Sequence, residues 1–251
     1  MRGVGFGVSQ GERVALLGAN ASGKSTLMHL MNGLYFAEVG GISAFGTVLT
    51  DESVETPLFS RTLRQRMGFL FQNSDAQLFC PTVGEELAFG PLQLRLPLEE
   101  IECRVADTLR LFGLEHLKER SPQTLSGGEK KKVALAGLIT CGPSVILLDE
   151  PSSGLDPRSR QWLTEFLNAL SSAGTTLIIS THDLGFAADT SDRALILAED
   201  HKLVYDGLLS DALSDLDMLL SANLIHAHTH RHEDGAHTHP HLHEIMHEHK
   251  H

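Results

Sequence analysis

Residues Gly18-Ala19-Asn20-Ala21-Ser22-Gly23-Lys24-Ser25 space two glycines, a lysine and a hydroxyl in the full P-loop pattern. Small residues let backbone N–H groups approach phosphates, and a helix opening at Lys24 would add its partial positive charge. Lys24 is placed to reach β and γ phosphates, and the Ser25 hydroxyl to ligate Mg²⁺, with Thr26 closing the run of ATP contacts. A second chemical element is Val145-Ile146-Leu147-Leu148-Asp149-Glu150, an apolar run ending in two carboxylates. Asp149 would hold Mg²⁺, usually through water, while Glu150, pointing differently, would polarise an attacking water as general base. The bland alternatives are a glycine-rich turn and a solvated acidic turn. An apolar strand before it and a helix after it disfavour the first, and the company of a P-loop disfavours the second.

The third element is a tail. Eleven of the 15 histidines lie beyond residue 225: His226, His228, His230, His232, His237, His239, His241, His243, His247, His249 and His251. Neutral imidazoles suit Ni²⁺, Co²⁺, Zn²⁺ and Cu²⁺. Histidine at every second position of an extended chain puts ligands on one side, in several interchangeable weak sites. The alternatives are a pH-sensitive solubilising tail, since histidine titrates at about 6.5, and an expression tag, which a plain run would suit better. Metal buffering is favoured. His243-Glu244-Ile245-Met246-His247 also satisfies the His-Glu-x-x-His pattern of zinc proteases. Without a third ligand on a scaffold that match is cheap.

Positioning these groups requires a folded α/β core. Near-continuous apolar runs at 13–17, 67–71, 145–148, 176–179, 194–197 and 203–205 predict strands of a mostly parallel sheet covered on both faces. Helices are predicted over 24–32, 98–112, 127–140 and 158–171, with 84–125 as a helical insertion. The 251 residues carry 20 Lys plus Arg against 32 Asp plus Glu, a formal charge of -12, which argues against a nucleic-acid partner. Apolar runs stop far short of the roughly 20 residues a bilayer requires. Three scattered cysteines (Cys80, Cys103, Cys141) suggest no disulfide scaffold and fit a reducing compartment. Residues 1–223 read as one domain, and 224–251 as a low-complexity tail expected to be disordered.

Leu125-Ser126-Gly127-Gly128-Glu129 makes the reading specific, because it resembles the signature of ABC-type ATPases. Other family motifs follow the same order: Gln72 resembles the Q-loop, Ser153-Gly154-Leu155-Asp156 the D-loop, and His182 the switch histidine. The resemblance covers roughly residues 3–210 and implies an ABC-type P-loop nucleotide-binding domain hydrolysing ATP with Mg²⁺. It implies that two chains close head-to-tail around two ATP molecules, most simply as a homodimer. The signature would then meet the γ-phosphate on the partner subunit, and Asp156 would line the interface. Gln72 would sense Mg²⁺ and the attacking water, Ser25, Gln72 and Asp149 would share the metal, and His182 would contact the γ-phosphate. With Glu150, Gln72 and His182 make up the implied catalytic set.

Residues 68–79 and 85–91 are similar to the ATPases of energy-coupling factor importers, which take up vitamins or transition-metal ions. The implied partners are transmembrane coupling and substrate-binding subunits, at the cytoplasmic face of the membrane. Asp75 and Gln77 match polar positions of that group's partner-gripping segment, whereas Ser74 and Ala76 depart from it. Joined to the tail, the resemblance implies an importer of nickel or cobalt. A vitamin or zinc importer is the alternative within the class, and a soluble metal-storage protein the alternative outside it. A soluble ABC ATPase of DNA repair or translation would need long coiled-coil insertions or a second fused ATPase domain. Two departures carry expectations. Ala21 stands where the family has glycine, costing about 1 kcal/mol if that position has positive φ. Gly18 follows Met1 so closely that the first strand and its adenine-stacking aromatic are missing, which predicts weak adenine binding.

Overall fold

The structure, a computed structural model, describes residues 3–232 and 235–241, with side chains described over 3–225. Ten strands are described: β1 (Arg13–Gly18), β2 (Ser43–Ala44), β3 (Thr47–Val48), β4 (Met67–Leu70), β5 (Val145–Asp149), β6 (Thr176–Thr181), β7 (Arg193–Leu197), β8 (Leu203–Leu208), β9 (His226–His232) and β10 (Gly235–His241). The helices are α1 (Lys24–Met31), α2 (Asp51–Glu55), α3 (Pro57–Arg66), α4 (Val83–Gln93), α5 (Leu98–Phe112), α6 (Gly127–Ile139), α7 (Pro157–Ser172), α8 (Leu184–Thr190), α9 (Leu209–Ser214) and α10 (Leu216–Ser221).

The main sheet runs β4-β5-β6-β1-β7-β8, parallel except for the β7–β8 pair. All six residues of β6 are buried and only Arg13 and Val145 break burial in β1 and β5. Burial on both faces is why these strands read as apolar runs instead of alternating. One face packs α4, α5, α6 and α7 through Leu87, Leu109, Leu135 and Leu163. The other packs α1 through Leu27 and Met28 against Val14, Leu16, Phe69 and Leu195. Among the described residues before β1 none lies in a strand, and Val4, Phe6 and Val8 rest partly buried on this second cluster. Leu224 and Ile225, just past the expected domain end, are buried with α8, α9 and α10.

The four predicted helices are present within two residues of their expected ends. Helices α2, α3, α8, α9 and α10 are additional, and α4 lies within the helical stretch expected over 84–125. Helix α4 forms despite Gly84, Gly90 and Pro91, because Thr82 and Glu85 make a reciprocal capping box and Val83, Leu87 and Pro91 share a buried face. Strands β9 and β10 pair antiparallel with each other, from Gly235↔His232 to His241↔His226, in a two-stranded sheet separate from the main one. Among the described residues no helix is long and apolar enough to cross a membrane.

Candidate functional site

The sheet order places four adjacent parallel strands so that their C-terminal ends converge, which is where open α/β sheets bind ligands. Beyond β1 lies the 18–25 turn, beyond β5 come Glu150 and the 151–156 loop, beyond β6 comes His182, and beyond β4 comes Gln72. Asp149 is in register with Ser180, and Leu17 with Thr181, so these groups meet as a direct result of strand pairing.

The 18–25 turn is shaped by close approach. A Cβ on Gly18 would lie 2.5 Å from Ser22 Oγ and 2.6 Å from the Leu197 carbonyl, neither of which leaves room for one. Gly23, capping α1, has φ +104, and Ala21 has φ +64, so the glycine-favouring conformation foreseen at Ala21 is present. Lys24, 6% exposed, donates to the carbonyls of Gly18 (2.8 Å) and Ala19 (3.2 Å), and its Nζ stands 3.6 Å from Glu150 Oε1. Burial pushes the Lys24 ammonium pKa down, against the opposing charges of Glu150 and Asp149. Ser25 is half-buried, and Asn20 and Thr26 are exposed.

Glu150 is 5% exposed and held at φ +46, with its N–H donating to the Ser180 carbonyl at 3.0 Å. Its Oε1 lies 3.0 Å from His182 Nδ1, while its Oε2 has no hydrogen-bond partner. Ser180 Oγ donates to Asp149 Oδ1. A second unpartnered buried oxygen, Ser22 Oγ, sits in the turn. Lys24, Glu150 and His182 are therefore joined in one contact chain, with Asp149 the adjoining residue on β5. Gln72 is exposed and outside that chain, and Gln77 folds the segment behind it by donating to Phe69 O (3.2 Å) and accepting from Phe71 N (3.3 Å). Phosphate oxygens with a divalent cation fit this donor set: a turn whose Gly18 has no room for a Cβ, a buried cation, a carboxylate and two buried oxygens without partners.

The signature segment is built separately. Ser126 and Glu129 form a capping box, with Ser126 N (2.9 Å) and Oγ (2.7 Å) donating to Glu129 Oε2, and these bonds hold the Glu129 carboxyl below its usual range. Gly127 is exposed and Leu125 buried. No hydrogen bond or ion pair among the described residues joins this segment to the 18–25 turn. Asp156 caps α7, accepting from Ser159 N (3.0 Å) and Ser159 Oγ (2.6 Å). Three participants escaped the sequence reading. They are Ser180 on Asp149, His201 with Nδ1 3.0 Å from the Ser22 carbonyl, and Lys131, buried in α6. A lysine among the apolar positions of α6 was the one available signal. His226 to His241 are placed by backbone on β9 and β10, and His243, His247, His249 and His251 lie outside the described residues.

Fold and site together define a P-loop α/β ATP-binding unit. The sequence model of the ABC transporter family matches residues 1–153, and the chain belongs to that family, as one of its ATP-hydrolysing subunits. It is 45% identical over 228 residues to the nickel import ATP-binding protein NikO of Rhodobacter capsulatus, covering 90% of this chain and 89% of that one. The energy-coupling factor transporter ATP-binding protein EcfA of Methanocaldococcus jannaschii is 39% identical over 224 residues, 89% of this chain and 78% of that one. Among solved structures, cbiO1 from Clostridium perfringens, part of the ABC transporter complex cbiONQ, superposes with a TM-score of 0.73 at 32% identity. That match covers 87% of this chain and 86% of that one.

Proposed function

We propose that this chain is the ATPase subunit of an energy-coupling factor importer carrying nickel or cobalt. The observation that carries the metal assignment is the tail of alternating histidines on a chain similar to NikO and cbiO1. In this reading residues Gly18–Thr26 hold the ATP phosphates, with Lys24 exchanging the Gly18 and Ala19 carbonyls for β and γ oxygens. Ser25, Asp149 and Gln72 would hold Mg²⁺, which would supply positive charge against that developing on the transferred γ-phosphoryl group. Ser180 aims Asp149 at that position. Glu150 takes the proton of the attacking water, Oε2 being its free lone-pair oxygen, and His182 holds Oε1 before turning to the γ-phosphate. Ser126–Glu129 and Asp156 act on the partner subunit's nucleotide in a head-to-tail homodimer. The tail histidines hold Ni²⁺ or Co²⁺. The exposed edge-to-face pair Phe79–Phe89, with centroids 4.7 Å apart beside the 74–77 turn, supports docking of a transmembrane partner.

The test is metal accumulation in cells carrying this chain with its membrane partners. Nickel, cobalt and zinc are compared for wild type, Glu150→Gln and a chain ending at Ile225, which keeps the buried Leu224 and Ile225. Uptake of nickel or cobalt that disappears with Glu150→Gln is the expected result. Glu150-dependent uptake of zinc alone overturns the cargo, and no Glu150-dependent uptake of any of the three leaves a vitamin importer.

A further inference from the structure

Three consecutive lysines follow the signature, and each leaves α6 toward a different element. Lys130 Nζ pairs with Asp75 Oδ2 at 2.9 Å, tying the helix to the turn behind Gln72. Lys132 Nζ stands 4.5 Å over the Trp162 ring of α7. Between them Lys131 is 6% exposed and donates to two main-chain carbonyls, Pro151 and Ser153, each at 2.8 Å. The first two contacts are partly solvated and individually weak. The third is different in kind, because a buried ammonium keeps its charge only where hydrogen bonds replace its water. Burial lowers the Lys131 pKa, and the nearby Glu150 charge opposes that shift.

The loop that Lys131 grips starts at Glu150 and ends at Asp156. It is a pair of tight turns, with Ser153 N donating to Glu150 O and Leu155 N to Ser152 O, both at 3.2 Å, and with Glu150 (φ +46) and Gly154 (φ +73) in the left-handed region. Such turns satisfy themselves only in part, and the Pro151 and Ser153 carbonyls end on the one ammonium. The helix start also passes close to α7: a Cβ on Gly128 would sit 3.3 Å from Ser159 Oγ, the same hydroxyl that donates to Asp156. The loop carrying Glu150 is thus fastened to the signature helix through the Lys131 ammonium.

We propose that Lys131 is a positioning residue for ATP hydrolysis. Its ammonium fixes the 150–155 loop to the signature helix and so sets where the Glu150 carboxylate stands relative to Ser126–Gly128. The proposal rests on the reading of Glu150 as the base, and it adds a residue that contacts neither nucleotide nor metal.

Steady-state ATP hydrolysis by the full chain tests it. Lys131→Met keeps a linear apolar stem, one bond shorter, and removes its donors. We expect kcat to fall at least about tenfold with the half-saturating ATP concentration within about twofold, since the P-loop is untouched. Amide exchange at Ser153 and Leu155 should quicken in the same variant, and Lys132→Met should leave kcat within about twofold of wild type. A kcat within twofold of wild type in Lys131→Met, or a loss matched by a proportional rise in half-saturating ATP, overturns the proposal. Should Lys131→Met not fold, Lys131→Gln, one bond shorter and uncharged, takes its place. It should show an intermediate kcat and faster exchange, and wild-type values of both overturn the proposal. Glu150→Gln run alongside separates the two ideas. Activity kept in Glu150→Gln sinks the base assignment, whereas activity lost there but kept in Lys131→Met sinks only the role of Lys131.

Discussion

Replacing Ala21 by glycine should stabilise the protein. Ala21 lies in the turn ahead of Lys24 with φ +64, is exposed, and so has little packing to lose. Holding a Cβ in the left-handed region costs about 1–2 kcal/mol. Glycine removes that cost but adds freedom to the unfolded chain, which offsets about 0.4–1 kcal/mol. The net gain is about 1 kcal/mol, equivalent to a urea midpoint higher by about 0.3–0.5 M for a slope of about 2–3 kcal/mol per M. Urea unfolding without nucleotide, followed by far-UV circular dichroism, measures it. Ala19→Gly is the internal control, because Ala19 is outside the positive-φ set. There glycine should lower the midpoint by about 0.2–0.5 M, on the same slope. A midpoint for Ala21→Gly equal to or below wild type would refute the claim that alanine is strained at this position.

Burial and the neighbouring Glu86 push the Cys80 thiol up to about 11. Its thiolate fraction at pH 8 is then about one in a thousand, so iodoacetamide should label exposed Cys103 well before Cys80, with Cys80 labelling rising about tenfold per pH unit up to pH 10. Equal labelling rates at pH 8 by mass spectrometry would contradict this. Arg13 grips Asp192 with its Nε 2.7 Å from Oδ2, joining β1 to the start of β7, and holds the Asp192 carboxyl below its usual range. A carboxyl lowered by folding stabilises above its unfolded pKa of about 3.9 and loses that contribution as pH falls through the folded value. Asp192→Asn should therefore be less stable than wild type at pH 7 by at most about 1 kcal/mol, the pair being largely solvated, and the gap should narrow as pH falls below about 3.9. A gap independent of pH would remove the charge argument.

What the sequence disclosed follows from which interactions are local. The 18–25 turn, the apolar strands and the Leu125–Glu129 signature each depend on residues within a few positions, so pattern alone reveals them. Asp156 before Pro157 likewise announces α7. Helix α4 was legible only as part of a helical stretch, its own bounds masked because two glycines and a proline outweigh its capping box in any propensity reading. Helices α2, α8, α9 and α10, of five to seven residues, are too short for periodicity to register. The hydrogen bonds that aim the acidic groups were invisible for another reason. Ser180 reaches Asp149 across 31 residues and His201 reaches Ser22 across 179, distances that strand order alone closes.

In the proposed mechanism Glu150, set beside Lys24 and His182 at the strand ends, acts on water attacking ATP. ATP turnover and ATP binding are compared for wild type and Glu150→Gln in the full chain. Turnover lower by about 10²–10⁴-fold with binding retained is expected. Turnover in Glu150→Gln within a few-fold of wild type would contradict it.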